Sequence, residues 1–146
     1  MSVVDVDPIT DWLIGLLEAG TSKQIGDHQS PDSPVFPYGV LHILDGTQFA
    51  GPPFSTPDAD ADIPIQVDSV GKTPKQARWM ADRVRRTLLA RFPNGAFQVT
   101  ADDPEGYHVA DRQPAGGPSV PIPEGNTSDR LWSQPERFTI RVTAGG

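Results

Sequence analysis

Several stretches of this chain carry residue types that could do chemistry, and each lacks a part the chemistry needs. Gly71-Lys72-Thr73 sits between an alternating apolar run and a helical pattern, the setting of a loop whose backbone N–H groups cradle phosphates. Such a loop also needs a glycine five residues before Gly71, and that position is Gln66. Asp58, Asp60 and Asp62 alternate as at the start of a calcium loop, but Ile63 stands where glycine is required and Ser69 where the bidentate glutamate belongs. That stretch reads better as a solvated acidic loop before a strand. His28, His42 and His108 stand singly, with no i,i+4 pair and no cysteine partner. His42, inside an apolar run, reads as a hydrogen-bonded strand residue. Asp102-Asp103 reads as a turn. Asn126-Thr127-Ser128 matches a glycosylation acceptor, but no secretory signal accompanies it. There is no Gly-x-Ser-x-Gly elbow. The expectation is a protein that is not an enzyme and holds no cofactor or metal.

The bulk composition points the same way. The 146 residues suffice for one domain with a single core, and the absence of cysteine excludes disulfides, thiolate metal sites and a cysteine nucleophile. A formal charge of -7 argues against general nucleic-acid binding, which rests on neutralising phosphates. Sixteen prolines and fourteen glycines lie mainly between periodic segments and predict long ordered loops. No segment is apolar enough to span a membrane, so a soluble protein made in a cytoplasm is expected.

The elements that position these residues are organised around 61–92. Ile63, Ile65 and Val67 alternate with Pro64, Gln66 and Asp68, the period of a strand buried on one face. Gly71 breaks the run. Thr73 is then a natural N-cap, Pro74 occupies the first helical position, and Gln76 completes a capping box. Ala77, Met80, Ala81, Val84 and Leu88 make one apolar stripe, and Pro93-Asn94-Gly95 stops a helix predicted over Pro74 to Arg91.

Before this unit, Asp7-Pro8 starts a first helix with a stripe of Ile9, Trp12, Leu13, Leu16 and Leu17, ended by Gly20. Thr21 to Pro37 reads as a loop, Tyr38 to Leu44 as a central strand covered on both faces, and Asp45-Gly46 as a turn. Gln48 to Asp60, with Pro52, Pro53 and Pro57, suits an extended arm or flap. After the unit, Ala96 to Thr100 and Tyr107 to Ala110 read as short strands. A proline- and glycine-rich excursion from Gln113 to Pro135 holds Trp132. In the closing strand Phe138, Ile140 and Val142 point one way, Thr139, Arg141 and Thr143 the other. The predicted class is α+β: a mostly antiparallel sheet with two helices packed on one face and long Pro/Gly-rich loops.

Opposite its apolar stripe the second helix carries Lys75, Arg78, Trp79, Arg83, Arg85 and Arg86 with a single acid, Asp82. A solvated helix face accounts for this set. So does an interface, because an exposed tryptophan among arginines is the usual make-up of a binding hot spot. Lys75, Arg78, Trp79, Arg83, Arg86 and Trp132 are the candidate protein–protein contact residues.

The strand IPIQVDSVG, the turn, and a helix patterned on Thr73, Ala77, Ala81, Val84 and Leu88 resemble the tail terminator (tail completion) proteins of long-tailed bacteriophages, particularly those of actinobacterial hosts. The short N-terminal helix, the chain length and the closing FTIRVT strand extend the likeness to about half the chain, while the proline-rich segments 47–60 and 113–135 depart from the compact members. The resemblance implies a virion protein assembled as a hexameric ring on the head-proximal end of the tail tube. There it would end tube polymerisation and meet the head-completion or connector protein, with DNA passing through its lumen. An acidic lumen would repel the duplex and let it slide. Another neck component, such as a head-closure protein, shares this pattern of short α+β chains. A nucleic-acid-binding module built on the basic helix is the alternative from a different class.

Overall fold

Two long strands form the spine of the protein. The computed structural model describes residues 6–44, 48–50, 60–116, 119–125 and 130–144. Its elements are α1 (Val6–Thr21), β1 (Ile25–Asp27), β2 (Tyr38–Ile43), β3 (Gln48–Ala50), β4 (Asp60–Gly71), α2 (Pro74–Leu89), β5 (Tyr107–Pro114), β6 (Ile122–Glu124) and β7 (Leu131–Ala144). β4 and β7 run antiparallel along their whole length, from Asp60 opposite Thr143 to Gly71 opposite Trp132. Their outer edges are shared: β2 and β3 both pair with β4, and β5 and β6 both pair with β7. The short β1 lies beside β2 and is the one parallel partner among the described strands.

This divided edge explains a proline in the middle of the longest pairing. β2 pairs with Ile65 to Val70 and β3 with Asp60 to Asp62, so Pro64 falls in the gap between the two partners. Leu44, just past β2, stands opposite it and donates its N–H to the Pro64 carbonyl at 2.9 Å. The proline, lacking an N–H, cannot return the bond, so the β2 ladder stops here at the cost of one bond at its end.

Both helices cover one face of the sheet. Ile63, Ile65 and Val67 of β4 and Phe138, Ile140 and Val142 of β7 are fully buried against Ile9, Leu13, Leu16 and Leu17 of α1 and Met80, Val84 and Leu88 of α2. The two stripes anticipated from sequence are thus the helix side of the core, and the α+β class is the observed one. The opposite face divides in two. Near the start of β2, Tyr38 and Val40 join Val70 in a small second cluster, backed by Phe36 and Leu131. Farther along β2 that face is polar and half-exposed, so coverage on both sides holds for Tyr38 and Val40 but not for His42.

Several boundaries differ from those expected. α1 continues past Gly20 to Thr21, whose hydroxyl donates to the Leu17 carbonyl at 2.6 Å, and Ser22 takes the left-handed conformation that ends the helix. Gly20 instead serves close packing, described below. α2 ends at Leu89, not Arg91, because Ala90 turns extended to start the return toward Phe97. The 21–37 loop contains β1, held by Gly39 N–H donating to the Gln24 carbonyl and His28 N–H to that of Leu41.

Ala96 to Thr100 is not a strand. Apart from one bridge, Arg91 to Phe97, its backbone bonds locally to the end of α2, with Gln98 N–H on the Ala90 carbonyl. β5 runs on to Pro114, and the supposed excursion holds β6 and the first residues of β7, which pair with each other. Gln48 to Ala50 is a strand rather than part of the arm. The Asp45-Gly46 turn, the remainder of the arm at 51–59 and the sequon at 126–128 lie outside the described residues.

Candidate interaction surface on the second helix

α2 begins where β4 ends, and the junction is tight. A Cβ on Gly71 would lie 2.5 Å from Gln76 Cβ and 2.8 Å from the Ala77 nitrogen, so only glycine lets the strand pass this close beneath the first turn. The Thr73 hydroxyl accepts the Gln76 N–H at 3.1 Å. Gln76 Oε1 accepts the N–H of Lys72 at 2.8 Å, one residue earlier than the usual reciprocal bond of a capping box. The junction is a helix cap in which the N–H groups of Lys72, Gln76 and Ala77 are engaged within the chain, which leaves the phosphate-loop reading without support.

This cap fixes the rotation of α2, and with it the outward set. Trp79 remains 41% exposed, a large apolar area for solvent to cover. The Arg83 guanidinium lies over its ring at 4.8 Å and the Lys23 ammonium, from the chain just after α1, at 5.5 Å. Each such contact contributes about 0.5–1 kcal/mol at an exposed site, enough to hold the ring's orientation. Between this platform and the start of α2 lies a groove of about 330 Å³, lined by Lys23, Pro37, Thr73, Lys75, Gln76 and Trp79. Its walls are mostly apolar, and its charged groups are two lysines.

The candidate contact residues divide by what already holds them. Arg86 is 3.1 Å from Asp82, one turn earlier on the helix. Arg85 reaches across to Glu136 of β7 and so ties the helix flank to the sheet. Arg83 is spent on Trp79. Lys75 and Arg78 make no ion pair among the described residues. Trp132 belongs elsewhere: it is half-buried in β7, opposite Gly71 on one side and Pro123 on the other. The structure therefore gathers Lys75, Trp79 and Arg83 with the unanticipated Lys23, and leaves Trp132 apart from them. Lys23 carries no sequence signal, because only the packing of the two helices brings it to the tryptophan.

The open face of the sheet holds a second ordered set. Asp62 receives Arg141 Nε and Nη2 at 2.8 and 2.9 Å, and these hydrogen bonds hold its carboxyl below the usual carboxylate range against the opposing effect of burial. Beside it, Arg137 donates to Gln66, Gln66 donates to Asp68, and Asp68 meets His42 Nε2 at 3.1 Å, so one chain of contacts crosses three strands. His42 is a hydrogen-bonded strand residue, as its position in the run suggested. Asp62, the last of the alternating aspartates, is committed to arginine. His28 Nε2 accepts the Ile43 N–H at 3.1 Å while its Nδ1 faces Asp27, which assigns the ring proton to Nδ1. His108 pairs with Asp103, whose carboxyl its hydrogen bond lowers. Among the described residues no three His, Asp or Glu side chains gather as a metal site, and no helix is long and apolar enough to cross a membrane.

Arg112 is a feature that sequence reasoning missed. It is buried in β5, where its Nη1 donates to the Val99 carbonyl at 2.8 Å and lies 3.5 Å from those of Thr87 and Leu88 at the end of α2. Phe97 and Trp12 stack on its guanidinium at 4.3 and 5.4 Å. A cation here satisfies the last carbonyls of α2 and complements the negative end of its dipole. Burial pushes the guanidinium's pKa down, and neighbouring Arg91 adds to this.

No family model matches the chain, and no curated protein matches it.

Proposed function

We propose that this chain is a structural virion protein, a tail terminator that caps the head-proximal end of a phage tail tube as a ring of identical copies. The observation that carries the proposal is the surface of α2. A 41% exposed tryptophan is held between Lys23 and Arg83, beside Lys75 and Arg78, on a chain whose formal charge is -7. An ordered cationic and aromatic patch on an acidic protein suits an acidic protein surface, and further copies of the chain offer one. The sheet with both helices on one face agrees with the protomer that the sequence resemblance implies. The tube protein on one side and the head-completion or connector protein on the other are the remaining partners in this reading. DNA passes through the lumen without specific binding.

The test is tail length in phage particles lacking the protein, imaged by negative-stain electron microscopy. Overlong tails of variable length that fail to join heads are the expected result, since unchecked tube growth is the specific consequence of losing the cap. Uniform tails of normal length beside filled, tailless heads would move the protein to the head side of the joint. Infectious particles of normal form would overturn both assignments.

A further inference from the structure

We infer that the groove beside Trp79 is the receptor for the acidic, proline-rich segment 51–60 of a second copy of this chain, so that copies join head to tail. This rests on the ring proposed above and supplies its contact. The groove offers two lysines around apolar walls made by Trp79 and Pro37. The segment GPPFSTPDAD carries Phe54, three prolines and Asp58 and Asp60, and no basic residue lies between His42 and Lys72. Aromatic and proline side chains match the walls, and the two carboxylates match Lys23 and Lys75.

Geometry makes the contact intermolecular. Segment 51–59 joins Ala50 to Asp60, which are paired at one end of β4. The groove lies past the other end, beyond Gly71. Eleven residue steps of strand separate the two ends, roughly 36 Å. A nine-residue loop tethered at both ends extends no more than about 17 Å from its anchors. It cannot reach the groove of its own copy. Each protomer therefore offers a segment at one end and a receptor at the other. Such a heterologous contact closes into a ring when its rotation permits.

The test is light scattering coupled to size exclusion on the purified full-length chain, with circular dichroism to check folding. The wild type is expected to run as a multimer. Asp58→Lys with Asp60→Lys, and separately Lys23→Glu with Lys75→Glu, are expected to run at protomer mass with unchanged dichroism. The chain carrying all four changes should regain the multimer, since its charges are again complementary. A wild type that stays a protomer, reversals that assemble like the wild type, or a fourfold variant that fails to recover would each overturn the contact. Where a reversal pair unfolds, excess synthetic 51–62 peptide added to the wild type is the second measurement: dissociation of the multimer is expected, and a multimer that persists would overturn the contact. A ring that survives the reversals leaves the terminator reading intact, because tail length tests that reading separately.

Discussion

Thr87 packs so closely over Gly20 that a methyl group on the glycine would fall 2.3 Å from the threonine's Cγ2 and 2.5 Å from its Oγ1. Thr87 cannot rotate away freely, because its hydroxyl donates to the Arg83 carbonyl at 2.8 Å. The contact sets how near α1 approaches α2, and so brings Lys23, three residues farther on, over the ring of Trp79.

Gly20→Ala is therefore expected to destabilise the protein by about 1–3 kcal/mol, although alanine is the better helix former by about 1 kcal/mol. Thr87→Ala removes two of the three close atoms, leaving Cβ at 2.9 Å. In that background the cost of Gly20→Ala should shrink, a coupling readable from urea midpoints of the four proteins in a double-mutant cycle.

Arg112 links β5 to the carboxyl end of α2 and stands between two rings. Arg112→Met keeps much of the volume but leaves the Val99 carbonyl without its donor and the end of α2 without its cation. A loss of about 2–3 kcal/mol in urea unfolding is expected. Arg112→Lys should recover only a part, since an ammonium lacks the planar fork that stacks on Phe97 and Trp12 while bonding carbonyls.

These two residues also mark where sequence legibility ends. The stripes Ile9–Leu17 and Ala77–Leu88 were readable because burial on one helix face imposes a period, and the Thr73-Pro74-Gln76 start because capping is local chemistry. Gly20 was not: a glycine after an apolar stripe looks the same whether it ends a helix or admits a neighbour. Arg112 gives no local signal, because its acceptors are 13 to 25 residues away in sequence. Ala96–Thr100 alternates like a strand, yet Arg112 and the end of α2 claim its backbone. Of the proposed contact surface, Trp79 and Arg83 were legible as i,i+4 neighbours on one helix. Lys23 became visible only through the tertiary packing.

Asp62 should make stability depend on acid pH in a defined direction. Arg141 keeps its folded pKa below the unfolded value near 3.9, so the folded state holds the ionised form more tightly. Its contribution is fully present above that unfolded value and is lost as pH falls through the lowered folded one. Asp111 acts in the same sense: burial pushes it up, but hydrogen bonds from Gln113, the Arg112 backbone and Arg91 bring it below the usual range. Asp62→Asn should thus lower the urea midpoint at pH 7, with the gap from wild type closing as the pH falls below the unfolded value near 3.9 and through the lowered folded one. A gap that stays constant through that range would contradict the assigned role.

Trp79 separates fold from assembly. The residue is 41% exposed and belongs to neither hydrophobic cluster, so Trp79→Ala should change urea stability by less than about 1 kcal/mol. The same change removes one wall of the groove and the surface on which Lys23 and Arg83 lie. Light scattering is expected to show a multimer for the wild type and a protomer for the variant, with unchanged dichroism. Lys75→Ala should weaken assembly more gently and reduce its sensitivity to salt, because it removes a charge but keeps the walls. A ring unaffected by Trp79→Ala would place the interface on another face. The open side of the sheet, where Arg137 and Arg141 are already bound to Gln66 and Asp62, would then be the surface to alter next.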